Sequence, residues 1–154
     1  MPETIRDRLA ELGLSLPDAP APAANYVPFV QSGHLLFVSG QISQDESGLI
    51  RGKLGADMDV EAGQNAARRC ALALLAQVAS ACDGDLERVV RVVKLTGFVS
   101  CTPDFTDHPK VINGASDLFA AVFGTRGHHA RAAVGSSSLP LGVAVEVEGV
   151  FELA

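Results

Sequence analysis

The chain has 154 residues, long enough for one domain with a real core, and is 47% hydrophobic against 19% charged. Its net charge of −6 argues against a dedicated nucleic-acid binder, which needs a basic face to neutralise phosphates. No apolar run approaches the roughly 18 residues of a membrane helix, and the opening MPETIRDRLAEL is too charged for a secretory signal.

Thr4 followed by Asp7 reads as a helix cap, with Ile5, Leu9 and Leu12 on one apolar edge and Gly13 as the stop. Residues 14–24, with Pro17, Pro20 and Pro22 among alanines, read as an extended linker. The division expected is 1–24 as helix and linker, laid over the main body, and 25–154 as a single domain. Strands are expected over 27–31 and 34–39, joined at Ser32-Gly33 and ended by Ser39-Gly40-Gln41, with a short third strand over 49–54.

Asp59 caps a long helix from 60 to about 82, whose inner face is Ala67, Cys70, Ala71, Leu74, Leu75 and Val78. Residues 89–101 form a long β-branched strand. A second helix starts at Thr106 or Asp107, carries Pro109 in its first turn and ends at Gly124. A polar loop with His128 and His129 delivers Arg131 to a strand-like run over 132–136.

From 143 to 153 alternation is nearly strict, so Glu146 and Glu148 share one side about 7 Å apart. The 137–142 connection is expected to bring the arginine run back beside this strand. The fold class is then α+β: a mixed sheet of about five or six strands, with two long helices on one face and a short N-terminal helix. Its other face, rich in apolar strand residues, favours contact with another subunit.

No phosphate-binding glycine loop, HExxH or CxxC is present, and Cys70, Cys82 and Cys101 lack metal-ligand spacing. They read as packed, reduced thiols of a cytoplasmic protein. His128-His129 reads as a polar loop, with a metal or titratable role as the alternative. Ser136-Ser137-Ser138 reads as turn chemistry. Arg131 has the fork geometry for a carboxylate. Glu146 and Glu148 read either as a solvated sheet face or as a general acid or base. Tyr26, the sole tyrosine, suits packing or ligand contact equally.

The segments His129–Val134, Ser137–Pro140 and Val145–Glu148, with Asn25-Tyr26-Val27, HLLFVSGQ over 34–41 and the helix entry over 55–67, resemble the RidA (YjgF-like) family from about residue 25 to 153. That resemblance implies a chorismate-mutase-like fold, a homotrimer with clefts between subunits, and hydrolysis of reactive enamines and imines such as 2-aminoacrylate to 2-oxo acids and ammonia. It implies that Arg131 binds the substrate carboxylate and Glu146 positions or activates water. Tyr26, Ser39 and Gly40 line the cleft, and no metal or organic cofactor is needed. The family's cleft asparagine falls on Ser116, or on Asn113 with a one-turn shift. The partners implied are a small carboxylate-bearing metabolite and other copies of the chain, with neither membrane nor nucleic acid. Alternatives are a non-catalytic metabolite-binding trimer and, third, an endoribonuclease. Two departures stand out: His129-Ala130 before the arginine, and Ala133 where a cysteine is frequent, which excludes thiol chemistry there.

Overall fold

The computed structural model describes residues 4–22 and 24–154, so residues 1–3 and residue 23 of the expected linker lie outside the described residues. The chain opens with α1 (Ile5–Glu11), where Thr4 Oγ1 accepts the Asp7 N–H at 3.0 Å. Ile5 and Leu9 enter the common core, whereas Leu12, expected beside them, is 40% exposed. The helix has already ended at Glu11, and Gly13, at φ +69°, turns the chain away.

The main sheet holds five strands: β1 (Phe29–Ser32), β2 (Leu35–Ile42), β5 (Val89–Ser100), β6 (Ala130–Ser136) and β7 (Val145–Leu153), in the order β1-β2-β7-β5-β6. Every pairing is antiparallel except β5 with β6. The third strand expected over 49–54 does not form. Instead β3 (Gln44–Asp45) and β4 (Gly48–Leu49) make a separate two-stranded hairpin. Beyond it Arg51 and Leu54 make only isolated bridges, as Gly52 at φ +155° and Gly55 at φ +90° take the backbone out of strand geometry.

Two helices cover one face, α2 (Val60–Ala81) and α3 (His108–Phe123). Asp59 Oδ1 accepts the Ala62 N–H at 2.8 Å and starts α2 where expected. Asp107 precedes α3 but makes no side-chain cap, and Pro109 in the first turn leaves one fewer donor to satisfy. At Gly114 any Cβ would overlap the Gln64 carbonyl, so the α2–α3 crossing is set by a residue without a side chain. The stretch of α2 from Cys70 to Val78 is buried on all sides, beyond the single stripe expected. Part of the cover is the proline-rich linker, held by Gln77 Nε2 donating to the Pro20 carbonyl at 2.7 Å. All three cysteines are buried and unpaired with one another.

The arginine run does not return beside the glutamate strand; β5 lies between them. The reason is the crossover: α3 carries the chain back along the sheet, so β6 runs parallel to β5 on its outer edge. The connection to β7 then steps over the end of β5, where Cys101 N–H donates to Ser136 O at 3.0 Å and Ser100 N–H to Ala144 O at 2.9 Å. Among the described residues no helix is long and apolar enough to cross a membrane.

Candidate functional site

Sheet register fixes the direction of each predicted site residue. Arg131 stands opposite Leu95, which stands opposite Gly149, which stands opposite Val38. Leu95 and Val38 are buried under the helices, so Arg131 belongs to the helix-covered face. Glu146 stands in the alternate row, with Ile42 on one side and Phe98 then Val134 on the other. That row faces away from the helices, where Phe37 is 46% exposed and Val134 44%.

On the helix side, Arg131 is half-buried and held by α3. Its Nη1 donates to Asn113 Oδ1 at 2.8 Å and to Ser116 Oγ at 3.1 Å, and its Nη2 donates to the Pro109 carbonyl at 3.3 Å. The two candidates for the cleft asparagine position are therefore both contacts of the guanidinium, one helical turn apart. These partners are neutral, and among the described residues no carboxylate pairs with Arg131. Three of five N–H donors are engaged; Nε–H and the second Nη2–H make a side-on pair suited to a carboxylate.

His129 lies in the expected loop, just before β6, but half-buried, with Nδ1 2.6 Å from the Gly127 carbonyl and Nε2 2.9 Å from Ser116 Oγ. Burial holds its imidazole below the usual histidine range; Arg131 and His128 add to this, against the opposing Gly127 carbonyl. A groove of about 380 Å³ runs over Ser116, His129 and Arg131.

On the open face, burial and then the neighbouring Glu148 push the Glu146 carboxyl above the usual carboxylate range. A Cβ at Gly40 would overlap Glu146 Oε2, so glycine there is what lets the carboxylate lie against β2. Tyr26, Ser39 and Gly40 line a separate cavity of about 190 Å³, shared with Pro20, Ala21, Pro22 and Leu141. Tyr26 is 47% exposed and Leu141 58%, the latter at φ +60°. Ser39 Oγ donates to the Val27 carbonyl at 2.8 Å, which fixes the stretch carrying Tyr26. The structure thus brings together Arg131, Asn113 and Ser116, and separately Glu146, Gly40, Ser39 and Tyr26, but does not join the two groups within one chain.

Among the described residues no group of three or more His, Cys, Asp or Glu side chains converges as metal ligands. The larger cavity, about 460 Å³, lies under the linker around the exposed Arg69–Glu46 pair, away from both groups.

Sequence reasoning missed Gln41 and Leu141 as site neighbours, and offered His129 only a titratable or metal role as the alternative to a polar loop. Adjacent histidines carry no periodic signal for burial, and the left-handed backbone at Leu141 has no glycine or asparagine to announce it.

Comparison with known proteins agrees with this architecture. The "Protein TCP17" of Trypanosoma cruzi is 53% identical over 147 residues, 94% of this chain and 91% of the relative. The crystal structure of Atu1372 from Agrobacterium tumefaciens, of unknown function, is 49% identical with a TM-score of 0.90, covering 97% of this chain and 92% of that one. More distantly, E. coli TdcF with bound serine is 25% identical with a TM-score of 0.64, covering 88% of this chain and 94% of that one. The family model described as "YjgF/chorismate mutase-like, putative endoribonuclease" matches residues 6–153, reaching into α1 and through the linker. With β5, α3 and β6 as its crossover and Arg131 held on α3, this chain belongs to the YjgF/chorismate mutase-like family.

Proposed function

We propose that the chain hydrolyses small reactive 2-imino and enamine acids, such as 2-aminoacrylate, to 2-oxo acids and ammonia, in clefts between the copies of a homotrimer. The observation that carries this reading is the state of Arg131: a half-buried guanidinium fixed by three neutral acceptors, with a side-on pair of donors uncommitted. A charge held this way, without a carboxylate of its own, suits an anionic ligand. Because Glu146 lies on the other face, the second half of the cleft is supplied by Glu146 of the partner subunit, with Tyr26, Ser39 and Gly40 around it. The apolar side chains on the open face, Val30, Phe37 and Val134, support assembly there.

In this mechanism Arg131 anchors the substrate carboxylate. A carboxylate whose proton affinity is raised above the usual range by burial and by Glu148 is suited to take a proton from water as it adds to the C=N carbon, and to return it to the departing nitrogen. The chemistry asks for no metal or organic cofactor. Residues 25–154 carry the cleft residues, and the linker before them contributes Pro20, Ala21 and Pro22 to the wall. Three buried reduced thiols favour the cytoplasm.

The test is to generate 2-aminoacrylate in situ and follow its loss with wild type and Arg131→Ala. Arg131→Ala is expected to lower turnover by roughly 10²-fold or more while the oligomer persists. Unchanged turnover overturns the assignment. A second reading, carboxylate binding without turnover, draws on the bound serine of TdcF. Retained affinity for small amino or imino acids with no deamination favours it. The endoribonuclease in the family description ranks third, against a net charge of −6 and a chain with one Tyr and no Trp.

A further inference from the structure

Beside Arg131 the structure places a hydroxyl and an imidazole in a relation that the imine chemistry does not use. A carbonyl only accepts, so the 2.6 Å contact with Gly127 O puts the ring proton on His129 Nδ1. Nε2 then carries the lone pair, and the Ser116 hydroxyl donates to it at 2.9 Å. The Phe119 ring meets the imidazole edge-on, with centroids 6.4 Å apart and planes at 77°, and holds its orientation. Arg131 Nη1 donates to the same Ser116 oxygen at 3.1 Å, where it stabilises negative charge developing on Oγ. Hydroxyl, base, the carbonyl that orients the base, and the cation line or adjoin one groove of about 380 Å³.

We propose that Ser116 is a nucleophile with His129 as its general base, and that the chain hydrolyses small esters or thioesters that carry a carboxylate. Ser116 Oγ bonds to the acyl carbon as its proton passes to His129 Nε2. The bond from that carbon to the leaving oxygen or sulfur then breaks, and the proton on Nε2 goes to the leaving group. Water repeats the sequence on the acyl-serine: it gives its proton to Nε2, adds to the acyl carbon, and releases the free acid and Ser116.

The carboxylate preference follows from charge. With Arg131 unliganded, its cation opposes a second positive charge on His129. Burial is the larger restraint on that charge, and a substrate carboxylate on the uncommitted Nε–H and Nη2–H offsets the Arg131 part of it, so the imidazole accepts the serine proton more readily when such a substrate is bound. Asp117 and His128 are the other ionisable groups on this groove.

The experiment compares hydrolysis of 4-nitrophenyl hydrogen succinate with that of uncharged 4-nitrophenyl acetate by the full chain, together with mass-spectrometric mapping of a fluorophosphonate adduct. The succinate ester is expected to be preferred, the adduct to map to Ser116, and Ser116→Ala and His129→Gln each to lose roughly 10²-fold or more. Arg131→Ala is expected to remove the preference for the charged ester. Ser116→Cys, which keeps a nucleophile in place, is expected to accumulate a succinyl thioester at residue 116; this carries the test if His129→Gln does not fold. Hydrolysis no faster than buffer, hydrolysis unchanged in Ser116→Ala, or an adduct confined to other residues overturns the proposal. Imine turnover measured alongside reads the deaminase assignment separately, since that reaction needs no acyl-serine.

Discussion

Arg131 and Glu146 point to opposite faces of one sheet, with β5 between their strands. One chain cannot close a site around both, and a cleft that uses both takes each from a different copy. Mixing inactive Arg131→Ala with inactive Glu146→Gln then restores activity, because some clefts receive the intact arginine from one variant and the intact glutamate from the other. In an equal, randomly reassembled mixture about a quarter of the clefts are whole, which sets the expected recovery after subunit exchange. No recovery, with exchange verified by native mass spectrometry, excludes the shared cleft.

Glu146 carries a stability cost of its own. Its carboxyl is held above the usual range by burial and then by Glu148. The folded chain therefore holds more protons than the unfolded one between the unfolded value, about 4.3, and the raised folded value, and stability falls as pH rises through that window. Glu146→Gln is expected to raise Tm at pH 7 while lowering turnover. Glu148→Gln is expected to move the acid limb of the pH–rate profile to lower pH, because the ionised form of Glu146 then persists further down. Gly40→Ala, which drives a methyl into Glu146 Oε2, is expected to lower turnover too. A Glu146→Gln variant less stable than wild type at pH 7 contradicts the argument.

His129 has the opposite sign. Its folded value lies below the unfolded one, about 6.5, so the unfolded chain takes up the proton first as the pH drops. The stability tied to neutral His129 is present above that value and declines from about 6.5 downward, levelling off below the folded value. Thermal melts between pH 7.5 and 5 are expected to show a steeper decline for wild type than for His129→Gln. Parallel slopes locate the titration elsewhere.

Much of the frame was legible because periodicity reports burial directly. The valines of β7 alternate, the inner face of α2 follows helical spacing, and Asp59 announces its start. What alternation within one strand does not carry is which of its two faces meets the helices, or which strand lies alongside. The placement of β6 beyond β5 depends on the α3 crossover, and with it goes the separation of Arg131 from Glu146. The pairing of Ser116 with His129 joins α3 to the loop before β6 and has no local signature. Asn113 and Ser116 looked like alternatives because gapless alignment admits one residue, whereas a helix presents positions three apart to the same guanidinium.

Gln77 was legible in principle, as a lone polar residue within the apolar run from Cys70 to Val78, and its environment explains it. It is 1% exposed, and its amide donates to the Pro20 carbonyl at 2.7 Å and to Gln41 Oε1 at 3.4 Å, while Gln41 Nε2 donates to the Ser39 carbonyl at 2.9 Å. One buried amide thereby ties the linker to the end of β2 that carries Ser39 and Gly40. Gln77→Ala removes both donors and leaves a void, while Pro20 O and Gln41 Oε1 lose their partner. Stranding buried acceptors costs about 1–3 kcal/mol each unless water replaces the amide. Gln77→Met restores most of the volume but not the donors, so the difference between the two variants separates packing from tethering. Both are expected to lower Tm, Gln77→Ala by more, and both to raise amide exchange across 14–22 relative to wild type. If the linker is a wall of the cleft, KM for the imino acid rises in both variants while the oligomer remains intact. Exchange unchanged across 14–22 in both shows that the linker is held by its other contacts.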